Sequence, residues 1–167
     1  MLFELKRLPK DAIDRSLAKA ERYRLLNEPA QAESIYRDVL ACDPGHQPAI
    51  AGLVLALTDQ FDQAAGSMDE PQSLLTKLTD PYERSYYGGI ICERWGRAHA
   101  ARYGVADAGL GWLREAMRLY DEAERHRPAD NADAMLRWNA CARTLNRAEP
   151  EHVGASSLRH ARELPLE

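Results

Sequence analysis

Ala32-Glu33-Ser34-Ile35-Tyr36-Arg37-Asp38-Val39-Leu40-Ala41-Cys42-Asp43-Pro44 is the stretch that decides the fold. Ala32, Tyr36 and Val39 stand at steps of four and three, which puts them on one face of an α-helix. Pro44 follows five residues later, where a residue without a backbone N–H stops the helix. Ala116, Tyr120, Ala123 and Pro128 repeat the pattern with the same steps of four, three and five. A small residue lets two helices approach, an aromatic fills the gap beside them, and the proline lets the chain reverse.

The surrounding chain keeps helical periodicity. From Asp11 to Leu26, Ile13, Leu17, Ala20 and Tyr23 share a face, and Asn27-Glu28-Pro29 breaks the run. Pro48 to Asp59 predicts a helix, Gly66-Ser67 a loop, and Pro71 to Leu78 a short helix stopped at Thr79-Asp80-Pro81. A long helix is expected from Tyr82 to Tyr103 and a turn over Gly104 to Asp107. The next helix runs to Arg127 with Trp112, Leu119 and Tyr120 on its apolar face. Ala132 to Asn146 follows, with Ala134, Trp138, Cys141 and Leu145 in register, then a weaker helix over Ala155 to Glu163. No segment alternates apolar and polar residues long enough for a sheet. The expectation is an all-α fold of seven or eight helices, joined by short loops into antiparallel hairpins.

Ala20 and Tyr23, then Ala32, Tyr36, Val39 and Pro44, then Ala116, Tyr120, Ala123 and Pro128 resemble the signature of the tetratricopeptide-repeat (TPR) family. The resemblance divides the chain 1–167, taken as one domain, into a first repeat over 11–44 and a degenerate second over 46–81. An extended third covers 82–128, and a half repeat with a C-terminal cap covers 131–167. The prolines Pro44, Pro81 and Pro128 are 37 and 47 residues apart, so the array is irregular against a period of about 34. The resemblance implies a right-handed superhelix of stacked hairpins whose first helices line a concave groove. It also implies a protein or peptide ligand, a scaffold, adaptor or chaperone-like role, and no chemistry of the chain's own.

Composition narrows the partners. Twenty-two lysines and arginines face 26 acidic residues, a net charge of -4, so the chain has no overall attraction to nucleic acid. Cys42, Cys92 and Cys141 are odd in number and form no CxxC pair, which argues against a disulfide framework or a zinc knuckle. The N-terminal MLFELKRLPKDA lacks the apolar core of a signal peptide, and no apolar run reaches membrane-spanning length. A cytoplasmic protein with no membrane partner is expected.

The long helix carries the first site candidates. Tyr86, Ile90, Glu93 and Arg97 share a face predicted to look into the groove, while Tyr87, Ile91, Trp95 and Ala98 form a stripe predicted to pack. Gly88-Gly89 in mid-helix predicts close packing of a neighbouring helix. Asp14, Leu17, Glu21 and Arg24 are groove positions of the first helix, and Met135, Asn139 and Ala142 of the fourth unit. Arg24, Tyr86, Ile90, Arg94, Arg97 and Asn139 form the predicted peptide-binding set, with the arginines suited to an acidic ligand. The competing class is a helical enzyme or small-ligand protein with a pocket around Tyr86, Glu93, Arg94 and His99.

No catalytic residue, cofactor or metal is expected. There is no HExxH, GxSxG, P-loop or GxGxxG, and Glu149 and His152 enclose Pro150. Cys92 and His99, seven apart, are too distant along one helix for a thiol–imidazole pair. Gly104, Gly109 and Gly111 frame a predicted helix start, where an anion is conceivable. Val153, Leu158, Ala161 and Leu164 are the apolar residues of the cap, and a homodimer is the expected alternative cover for the last repeat.

Overall fold

The hydrophobic periodicity is realised as helices throughout the computed structural model, which describes residues 3–148 except 64–65 and 104–105. After a single 3-10 turn, Lys10–Ala12, come α1 (Ile13–Leu25), α2 (Pro29–Cys42), α3 (Gln47–Thr58) and α4 (Asp69–Leu75). They are followed by α5 (Pro81–Tyr103), α6 (Ala106–Glu124) and α7 (Asp133–Ala148). The protein is all-α, with no strand among the described residues. The expected helix over Ala155 to Glu163 and the Glu149–His152 pair lie outside the described residues, as does the cap.

Helix ends follow from residues beside them. Asn27 takes the left-handed conformation (φ 59°) after α1. Glu28 N–H then reaches back to the Tyr23 carbonyl (2.9 Å) and Asn27 N–H to that of Arg24 (3.0 Å). This paired closure satisfies carbonyls that the helix end would leave open. Pro29 then starts α2, where its missing N–H costs nothing. His46 Nδ1 accepts from Ala49 N–H to cap α3, and Asp80 Oδ1 accepts from Tyr82 N–H (2.8 Å) to cap α5. The shortest helix, α4, begins and ends earlier than its sequence predicts. Ser67 Oγ accepts from Asp69 N–H, and the bonds of Thr76, Lys77 and Leu78 to carbonyls three residues back tighten the chain out of the α-helix.

Consecutive helices pack against one another along the whole chain, and α3 also touches both α1 and α5. The interface of α5 with α6 is the most extensive. The two signature sets are all buried: Ala32, Tyr36 and Val39 on α2, and Ala116, Tyr120 and Ala123 on α6. Each signature tyrosine lies against a glycine of a neighbouring helix. A Cβ at Gly52 would stand 2.4 Å from the Tyr36 ring, and one at Gly89 would stand 2.4 Å from the Tyr120 ring. Gly89 therefore has the packing role its sequence suggests, whereas a Cβ at Gly88 would find ordinary contacts at 3.5 Å.

Gly109 stands in the first turn of α6, while Gly104 lies outside the described residues. Gly109 is buried, and a Cβ on it would stand 2.4 Å from the Gly96 carbonyl oxygen of α5. Gly111 also lies inside α6. The backbones of α5 and α6 cross at Gly96 and Gly109, so these glycines serve helix packing rather than an anion.

Candidate functional site

The odd-numbered helices carry a chain of arginines and carboxylates. Asp59, immediately after α3, is the first node. Arg24 of α1 donates from Nε to Asp59 Oδ2 at 2.7 Å, and Arg94 of α5 reaches Oδ1 at 2.5 Å. The same Arg94 Nη1 also donates to Thr58 Oγ1 (2.6 Å) and the Leu55 carbonyl (3.1 Å), so it caps the C-terminal end of α3. Burial lowers the Arg94 pKa, and Asp59 opposes that shift. Arg102 extends the clamp by donating to the carbonyls of Phe61, Asp62 and Gln63, the last at 2.7 Å.

Glu93 is the second node and is only 4% exposed. It accepts from the Tyr120 hydroxyl of α6 (2.7 Å), pairs with Arg97 (2.9 Å), and accepts from Arg137 Nη1 of α7 (3.2 Å). Arg137 Nε also donates to the Tyr86 hydroxyl at 3.3 Å. Burial and the adjacent carboxylate push the Tyr120 hydroxyl far above its ordinary range, which keeps it a proton donor. This node joins three helices through one carboxylate.

Between α1, α3 and α5 lies a groove of about 430 Å³. Leu17, Glu21 and Arg24 form the α1 wall, Ala51 and Leu55 the floor, and Glu83 and Tyr87 the α5 wall, with Tyr36 reaching in from α2. Arg24 is committed to Asp59. Glu21 and Glu83 have no side-chain hydrogen bond or ion pair with another described residue. Burial, with Asp80 adding, raises the Glu83 carboxyl above its ordinary 4.5. Burial also lifts the Tyr87 hydroxyl to about 12, with Glu83 the next cause.

The sign of the Glu83 shift gives a pH prediction. A folded-state pKa above the unfolded value means that the native state favours the protonated form. Ionisation of Glu83 therefore costs stability, beginning as pH rises through 4.5 and complete above the folded value. Glu83→Gln, which copies the protonated form, should raise Tm at pH 7. The gain should close as pH falls below 4.5. Thermal melts of both proteins across that range check it, and a Tm gain that persists at low pH would contradict the linkage.

The predicted binding residues do not share one surface. Arg24 lines the groove, and Tyr86 is half-buried at the second node. Arg94 is spent on Asp59 and the end of α3, while Arg97 pairs with Glu93 but keeps an exposed guanidinium. Ile90 is 1% exposed and cannot touch a ligand. Its face of α5 looks to α6 and α7, because a helix with neighbours on several sides buries more than one stripe. Tyr87, assigned by sequence to the packed stripe, is partly buried against the core and also lines the groove. Asn139 is half-buried on α7 and outside the groove lining.

The alternative pocket does not assemble either. Tyr86 and Glu93 meet at Arg137, Arg94 turns to Asp59, and His99 packs on Trp95 with ring centroids 4.4 Å apart. Sequence reading missed Asp59, Arg102, Tyr120 and Arg137 as polar partners, and Glu83 as a groove residue. Asp59 does carry a signal. An acid at a helix C-terminus opposes the helix dipole, so it asks for a cation from elsewhere in the fold.

Cys92 and Cys141 are buried, and burial raises each thiol to about 11, so neither is an activated nucleophile. No helix of the described residues is long and apolar enough to cross a membrane. Comparison with protein-family models, curated proteins and solved structures gives no match.

Proposed function

We propose that the protein is a TPR-like interaction scaffold that holds a protein or peptide segment in the groove between α1, α3 and α5. The observation that carries the reading is the groove itself. Three helices form it, aliphatic and tyrosine side chains line it, and Glu21 and Glu83, which make no ion pair with another described residue, offer polar recognition. The buried signature sets on α2 and α6, each with a tyrosine against a glycine, support the TPR-like part of the proposal. A chaperone-like role and a cytoplasmic setting are compatible with it. The arginines Arg97 and Arg137 could also meet an acidic segment, beyond the groove, since both retain exposure at the Glu93 node.

A displayed random-peptide library selected against the full chain tests the proposal. Selected sequences should share a consensus, bind the wild type and bind Ala18→Trp at least tenfold more weakly. Ala18 is exposed at the groove, so the indole obstructs the site without entering the core. Peptides that bind Ala18→Trp as well as wild type would move the interaction off the groove.

A further inference from the structure

The groove holds two carboxylates, Glu21 and Glu83, that stand outside the Asp59 and Glu93 nodes. Arg24 and Arg94 share the single carboxylate of Asp59, and Arg97 and Arg137 share that of Glu93, so the described cations of both nodes are already engaged by carboxylates other than Glu21 and Glu83. Glu83 and Glu21 stand on opposite walls with no cation of the described chain beside them in an ion pair. Glu83 is half-buried, and a carboxylate taken partly out of water without a partner is unfavourable unless something compensates it. The walls also offer Tyr36 and Tyr87, whose ring faces attract cations, and Leu17 and Leu55, which suit an alkyl stem.

Resting on the scaffold reading above, we infer that the groove takes a basic side chain of the partner, an arginine or lysine. Its charged head lies between Glu83 and Glu21 beside Tyr87, and its stem lies along Leu17 and Leu55. An acidic side chain at the same place would meet two carboxylates and is excluded by repulsion. The ligand segment is therefore basic at the groove, whatever charge it carries elsewhere.

The test uses the full chain, labelled for amide NMR and titrated with n-butylguanidinium chloride. Sodium butyrate and n-butanol serve as charge-reversed and neutral probes of the same stem. Butylguanidinium should shift amides near Leu17, Leu55, Glu83 and Tyr87 saturably, and the other two should not. Glu83→Gln should weaken that binding at least fivefold, while Asp121→Asn, on the exposed side of α6, should leave it unchanged. Glu83→Gln removes an unfavourable charge, so loss of binding is not loss of fold. Equal shifts with butyrate, no saturation, or full binding by Glu83→Gln would each overturn the inference.

A second arm separates this inference from the scaffold reading. In library-selected peptides, replacing the basic residue by norleucine should cost at least tenfold in affinity. Groove-binding peptides with no basic residue would overturn the basic subsite and leave the scaffold standing. Saturable butylguanidinium binding with no peptide selected would overturn the scaffold and leave the subsite.

Discussion

Glu93→Ala is expected to destabilise the protein by about 3–5 kcal/mol, because it leaves the other members of a buried charged cluster without their common partner. The carboxylate is 4% exposed and serves Tyr120, Arg97 and Arg137 at once. Its loss strands a hydroxyl that is fully buried and a guanidinium on α7 that retains only the Tyr86 hydroxyl nearby. For a chain of this size the change amounts to a fall in Tm of roughly 6–20 °C. Glu93→Gln keeps an acceptor for Tyr120 but no charge for the arginines, so its cost should fall between wild type and alanine. Glu115→Ala supplies the comparison. Its partner Arg118 is an exposed neighbour three residues on, and such pairs are worth about 0–1 kcal/mol. Denaturant melts of the three variants decide the matter. Equal losses for Glu93→Ala and Glu115→Ala would mean that the second node is solvated and holds nothing together.

The helices and the buried signature were legible because each depends on residues a few positions apart. Pro44 and Pro81 at helix boundaries, Ala32 with Tyr36 and Ala116 with Tyr120 are local patterns, and the structure buries both pairs. The polar site was not legible, because its bonds span 35 residues from Arg24 to Asp59 and 44 from Glu93 to Arg137. Periodicity places an arginine on a face but does not say which carboxylate lies across from it. So Arg94 could be predicted as a free binding residue when α3 had already claimed it. Both stripes of α5 are packed, which a single helix does not reveal for a related reason. Tyr86, Ile90 and Glu93 form a consistent face, but whether that face meets a groove or another helix depends on α6 and α7. Glu83 was missed because its importance lies in lacking a partner, which only the assembled fold reveals.

Gly109→Ala should destabilise the protein by about 3 kcal/mol, at the upper end for overpacking, while Gly111→Ala two positions on should stabilise it by about 0.5–1 kcal/mol. Both substitutions relieve the same helix penalty of glycine, so the difference between them isolates the crossing of α5 and α6. A methyl group at Gly109 would stand 2.4 Å from the Gly96 carbonyl oxygen and 3.1 Å from the Ala100 Cβ, and one at Gly111 would meet no atom within 4 Å. The carbonyl belongs to the backbone of α5 and cannot rotate away as a side chain would. The helices must therefore separate by several tenths of an ångström along their most extensive interface, loosening the packing of Leu110, Leu113 and Ala116. Gly88 and Gly89 give an independent pair with the same logic. At Gly89 the methyl group would strike the ring of Tyr120, which Glu93 holds by its hydroxyl, whereas at Gly88 it would rest on Leu75 and Leu119 at 3.5 Å. Gly89→Ala should cost about 1–3 kcal/mol and Gly88→Ala should gain up to about 1 kcal/mol. Chemical denaturation of the four single variants gives four signs, two positive and two negative. If Gly109→Ala or Gly89→Ala proved as stable as its partner, the helices would not approach as closely as this packing requires.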